Sequence, residues 1–236
     1  MKVFHESRTV ATVAVFAAAH VVLDSIPVYA FREWGMYLEP LEGIILGPAL
    51  GVLAAFIGAT VSRAVIGASV FSFIYGVAGE SVSVLVAGLL VKDRAKVVAA
   101  IYAFMLLAYF IHPYGLRLPL WAMMDCLAAF ILIYPAALLS RQLLQADKEV
   151  KLFPLAVMLT SFVSTVAHSL TMIFILIPVG TYAVEFGSFE AVYYAFIVGA
   201  AGSYLEDLMV IVASFLVYSP ILLFLRRSGI LDFPMS

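Results

Sequence analysis

Apolar residues run along the chain in long blocks, and polar positions fall mainly between the blocks. About 20 consecutive apolar residues are needed for a helix to cross the hydrocarbon of a bilayer. Seven blocks approach or exceed that length: Arg8 to Tyr29, Glu39 to Ile66, Phe71 to Val91, Ala95 to Ile111, Leu118 to Arg141, Leu152 to Pro178 and Phe189 to Leu225. The pattern predicts an all-α, polytopic transmembrane helical bundle. The last block is too long for one crossing, and Gly199 and Gly202 offer break points that divide a lead-in from a span beginning near Ser203.

The distribution of cations refines the count. Cytoplasmic loops carry excess Lys and Arg, and four basic groups recur: Lys2 with Arg8, Lys92 with Arg94 and Lys96, Arg141 with Lys148 and Lys151, and Arg226 with Arg227. If Glu39 to Ile66 crossed once, the Lys92 loop would face away from the N-terminus. The conflict disappears if this block breaks at Gly47-Pro48, because proline removes a helix hydrogen bond and restricts the preceding residue. The expectation is then eight crossings, within a range of six to eight, with both termini cytoplasmic and Arg32 and Arg117 outside. The first arm, from Glu33 to Gly47, would span only about 22 Å at 1.5 Å per residue.

Composition agrees with this picture. The chain is 65% hydrophobic and 12% charged, and no polar stretch is long enough for a separate aqueous module, so residues 1–236 read as one membrane domain. The net charge of -2 gives no reason to expect a nucleic-acid partner. A single cysteine, Cys126, excludes an intramolecular disulfide and a cysteine-based metal cage. The first block exceeds a signal-peptide core, and His20 and Asp24 stand where a cleavage site would be, so it reads as the first helix. Asparagine is absent, which removes N-glycosylation and fits a heat-adapted prokaryote.

The stretch from Glu39 to Lys96 contains a short helix, a Gly-Pro turn with a further glycine (Gly47, Pro48, Gly51), a helix rich in small residues, an outer loop and a helix ending in a basic loop. This order resembles the S component, the substrate-binding membrane subunit, of energy-coupling factor transporters. Ala14 and Ala18 resemble that family's docking face for its T subunit, and Leu205 to Gly229 is similar to its closing helix. The family has six helices, so residues 1–94 match its first four, 189–227 its closing region, and 95–178 hold an extra or divergent pair. The resemblance implies capture of a vitamin or other small micronutrient at the plasma membrane, together with a T subunit and two cytoplasmic ATPases. It also implies a lid from Phe31 to Leu38. A metal-type member is disfavoured, because Lys2 rather than histidine follows Met1 and the nearest histidine is His5. No cofactor is expected.

Ionisable residues within spans are costly, and are candidate functional groups for that reason. Glu39 and Glu42 flank Pro40 at a helix start, where carboxylates also act as N-terminal charges. Trp34 and Tyr37 suit either a flat ligand or the membrane interface. Arg63 and Glu80, on adjacent spans, read as an ion pair, with the alternative that Arg63 holds an anionic substrate group. Asp125, Glu206 and Asp207 fall in the outer third of their spans and, with Glu42, would make an outer cavity acidic. His20, His112 and His168 are scattered; His168, beside Ser164, Thr165, Ser169 and Thr171, is the strongest ligand candidate.

No P-loop, H-E-x-x-H or G-x-S-x-G motif occurs. The leading expectation is the substrate-binding subunit. One rival is a self-sufficient proton-coupled transporter using Asp125, Glu206 or His168. The other is an intramembrane enzyme acting on a lipid or isoprenoid with His112, Asp125 and Arg117.

Overall fold

The computed structural model describes residues 2–26, 34–144, 152–229 and 233–236, with the side chains of 2–6, 142 and 144 excluded. Arg32, Lys148, Lys151 and the Phe31 end of the expected lid lie outside these residues. Helices are α1 (Lys2–Asp24), α2 (Glu39–Val65), α3 (Val70–Val91), α4 (Ala95–Ile111), α5 (Pro113–Arg117), α6 (Met124–Ser140), α7 (Phe153–Leu176), α8 (Tyr182–Glu185), α9 (Phe189–Ala213) and α10 (Ser219–Ser228). A 3-10 turn, Trp34–Tyr37, precedes α2, and another, Leu120–Met123, leads into α6. Among the described residues there is no strand. Among the described residues, six helical stretches are long and apolar enough to cross a membrane, so the chain is a multi-pass membrane protein.

Helix α2 is not straight. Gly47 adopts φ 77° and ψ −177° within it, a left-handed φ that side chains other than glycine resist, and Pro48 supplies no N–H to bridge the step. A methyl group placed on Gly51 would lie 3.7 Å from both the Glu42 carbonyl oxygen and the Gly43 Cα. Nine residues along a straight helix would be about 13 Å apart, so the arms 39–46 and 48–65 lie side by side. The first arm alone covers about 12 Å, and the 3-10 turn before it extends it toward the far end of the bundle. The chain thus turns back at Gly47-Pro48, where charge placement expects a break, while the six membrane-length stretches count α2 once and leave out the shorter α4.

Two contacts gather the basic groups at one end. Arg141 Nη2 lies 2.8 Å from Asp93 Oδ2, joining the loop after α3 to the end of α6. The Arg226 guanidinium sits 5.9 Å from the Phe153 ring at the start of α7. Ser236 reaches the break in α2 from the tail: its hydroxyl donates to the Leu46 carbonyl and accepts from Ala49 and Leu50 N–H.

The expected break at Gly199 and Gly202 is not found. Helix α9 runs continuously through both glycines, because breaking a helix in hydrocarbon strands backbone groups with no water to receive them. The irregularity lies further on, in a π-helical turn over Ser214–Tyr218. There Ser214 and Ser219 hydroxyls bond back to the carbonyls of Val210 and Ser214, and Pro220 withholds an N–H from the preceding turn.

Candidate functional site: a buried charge network beneath a two-chambered cavity

Seven ionisable side chains from five helical segments meet inside the bundle: His20, Asp24, Glu39, Glu42, Arg63, Glu80 and His168, each 5% exposed or less. Helix α1 contributes His20 and Asp24, one turn apart on its buried face. His20 Nε2 lies 2.5 Å from Glu42 Oε2 on the first arm of α2, and His20 Nδ1 lies 3.2 Å from Glu80 Oε2 on α3. Arg63 Nη2 donates to Glu80 Oε1 at 2.5 Å, and its Nη1 lies 3.5 Å from Asp24 Oδ2. Further guanidinium hydrogen bonds run to the carbonyls of Ser72 and Ala59. Asp24 also accepts from Ser62 Oγ at 2.8 Å and from Gly35 N–H at 3.0 Å, which ties the turn before α2 to the end of α1.

A second pair extends the network to α7, where His168 Nδ1 lies 2.8 Å from Glu39 Oε1. Two glycines on α3 make room for these groups. A methyl group on Gly76 would overlap the Arg63 guanidinium, and one on Gly79 would overlap the His168 ring. Each carboxyl group thereby has an arginine or histidine beside it, in a medium where an isolated charge would cost several kcal/mol.

A cavity of about 410 Å³ opens above the network, lined by Met36, Arg63, Ser69, Ser72, Glu80 and His168 among others. Beside it lies a more apolar chamber of about 250 Å³, with walls that include Ile173, Leu176, Phe186, Phe196 and Ala200. Tyr75, Met172 and Glu185 line both. The Tyr75 hydroxyl lies 2.6 Å from Thr181 Oγ1 and donates to Glu185 Oε2 at 2.6 Å. Asp125, in the first turn of α6, faces the apolar chamber and accepts from Ser203 Oγ at 3.1 Å. Glu185 and Asp125 have no cationic partner among the described residues, so the combined space is net anionic.

The structure thus brings together Glu39, Glu42, Arg63, Glu80 and His168 and joins them to His20 and Asp24. Arg63 and Glu80 form the expected pair while also lining the polar chamber. Glu42 belongs to the network below the cavity rather than to its wall, because its carboxylate turns toward His20. Glu206 and Asp207 are buried in α9 but do not line either chamber. The Trp34 and Tyr37 rings meet at 5.5 Å between centres, tilted by 46°; Tyr37 donates to Met209 Sδ, and its carbonyl accepts from the Tyr218 hydroxyl. Neither aromatic lines the chambers; of that turn, Met36 does. His112 caps α5 by accepting the Tyr114 N–H, and the Arg117 guanidinium covers the Phe189 ring at 3.7 Å. Ala14 and Ala18 are exposed along α1 while Ala17 packs inward.

Reading the sequence missed Met36, Ser69, Ser72, Tyr75, Met172 and Glu185 as cavity residues. No protein-family profile matches the chain, and no curated protein or solved structure does either.

Proposed function

We propose that this chain is the substrate-capture membrane subunit of an uptake transporter of the energy-coupling factor type. The observation that carries this reading is the two-chambered cavity at the end of the bundle opposite the basic loops, with a floor held by paired buried charges. By the positive-inside rule the basic end faces the cytoplasm, so the cavity opens outward, where a scarce solute is collected. Its form suits a small micronutrient with an apolar body and a cationic or donor-rich head, the body against Phe196 and Ala200 and the head near Glu185. The doubled α2 and the exposed Ala14 and Ala18 add support, since small residues allow close helix approach. In this reading a T subunit docks on α1 and two ATPases supply the energy, at the plasma membrane.

Co-expression with the proteins encoded beside it tests the proposal. A T subunit and an ATPase should co-purify, and Ala14→Leu with Ala18→Leu should weaken that association while ligand binding persists. A chain that never associates with either partner contradicts it.

A proton-coupled secondary transporter is the second reading. It is favoured by His20 standing between Glu42 and Glu80, an arrangement able to hold and release a proton within the membrane. Uptake into vesicles by the isolated chain under a proton gradient, without ATP, would select this alternative.

A further inference from the structure

The geometry points to a divalent metal site formed by His20, Asp24 and Glu80 between α1 and α3, below the cavity floor. One ligand atom from each residue can be chosen so that all lie within 4.8 Å of one another. Acidic clusters are common without metals, but two further observations distinguish this one.

The first is the state of the atoms that face inward. His20 Nδ1 and Glu80 Oε2 face each other 3.2 Å apart and fully buried, and neither makes a hydrogen bond to any other group among the described residues. Two ligands about 2.1 Å from a shared ion, at an angle of about 100°, are separated by that distance. The opposite atoms of His20 and Glu80 are already held, His20 Nε2 by Glu42 and Glu80 Oε1 by Arg63. Both Asp24 oxygens accept one hydrogen bond each, from Gly35 N–H and Ser62 Oγ, and a carboxylate oxygen keeps a further lone pair for an ion. A carboxylate on the far nitrogen of a histidine fixes the tautomer that leaves the near nitrogen free to bind a metal, the usual outer-shell pattern of such sites.

The second observation is charge. Among the described residues, Asp24, Glu42 and Glu80 place three carboxyl groups around His20 in a region at most 5% exposed, with the Arg63 guanidinium beside Asp24 and Glu80. Metal ligation needs His20 neutral and the carboxyl groups ionised, and in that state one doubly charged cation balances the excess. One imidazole and two carboxylates suit Zn²⁺, Mn²⁺ or Fe²⁺ better than Mg²⁺ or Ca²⁺, which favour all-oxygen sets. The bound ion fastens α1 to α3 under the cavity.

Bound metal can be measured on the isolated full-length chain, so this result is independent of T-subunit docking and of uptake. The protein, purified in mild detergent and treated with chelator, is incubated separately with Zn²⁺, Mn²⁺ or, without oxygen, Fe²⁺, then desalted and analysed by elemental mass spectrometry. The expected result is about one ion per chain for at least one metal, falling at least tenfold in His20→Ala and Glu80→Gln. His112→Ala should retain the ion. If the ligand variants do not fold, the absorption spectrum of the Co²⁺-loaded wild type decides: nitrogen and oxygen ligation of a buried ion supports the site. Wild-type protein that retains no ion, or equal retention in folded His20→Ala, overturns it.

Discussion

Arg63 Nη2 lies 2.5 Å from Glu80 Oε1, with both side chains almost wholly buried. The pair joins the second arm of α2 to α3, and Asp24 places a second carboxylate beside the same guanidinium. Removing one partner therefore leaves an uncompensated charge rather than one lost contact. Arg63→Ala should destabilise the protein by about 3–5 kcal/mol. Thermal unfolding in detergent should show Arg63→Ala melting below Arg63→Ala/Glu80→Gln, because the second change removes part of the stranded charge. Equal melting of the two would indicate that Asp24, not Glu80, is the main partner.

The turn in α2 should be specifically sensitive to a side chain. Gly67 and Gly47 both have positive φ, but a methyl group at Gly67 meets nothing within 4 Å, while one at Gly47 runs into Ser236. Gly67→Ala should cost about 1–2 kcal/mol from backbone strain alone, and Gly47→Ala should cost more. Comparing the two unfolding midpoints checks this.

Much of the fold can be read from the chain, for physical reasons that differ between regions. The spans are legible because hydrocarbon demands long apolar runs, and the fold-back at Gly47-Pro48 because only that path puts the basic loops on one side. The break in the last helix was misplaced: Gly199 and Gly202 are conspicuous, yet helix continuity in lipid outweighs their weak preference, and the Ser214, Ser219 and Pro220 combination determines the irregular turn. At the site, single charges within spans identified Glu39, Glu42, Arg63, Glu80 and His168. Their grouping was hidden, since His168 and Glu39 are 129 positions apart and no spacing encodes such contacts. Tyr75 and Glu185 stayed unseen because one resembles an interfacial aromatic and the other lies in a polar connection.

The Tyr75 tether in the wall shared by the two chambers should affect binding more than folding. Tyr75→Phe deletes the hydroxyl that reaches both Thr181 and Glu185 but keeps the ring. Ligand affinity should fall roughly 10- to 100-fold, as for a hydrogen bond to a charged group, and the unfolding midpoint should change little. Titration of the purified chain with its ligand, set beside a melting curve, separates the two effects.

Gly79 should link packing to the network. A methyl group there overlaps the His168 ring, so Gly79→Ala should displace the imidazole from Glu39 and leave a fully buried carboxylate unpaired. Both stability and ligand retention should fall. A stable Gly79→Ala protein with unchanged binding would show that the His168 and Glu39 pair has no part in the floor.

Capture of a small molecule in the two-chambered cavity underlies the proposed function. The most direct test is mass spectrometry of small molecules released from wild-type protein purified in mild detergent, compared with Ser72→Phe, which fills the polar chamber, and Ala200→Phe, which fills the apolar one. The account predicts one compound with an apolar body and a cationic or donor-rich head, near one equivalent in the wild type and strongly depleted in both variants. A wild type that carries no such compound, or variants that carry it undiminished, would contradict the account.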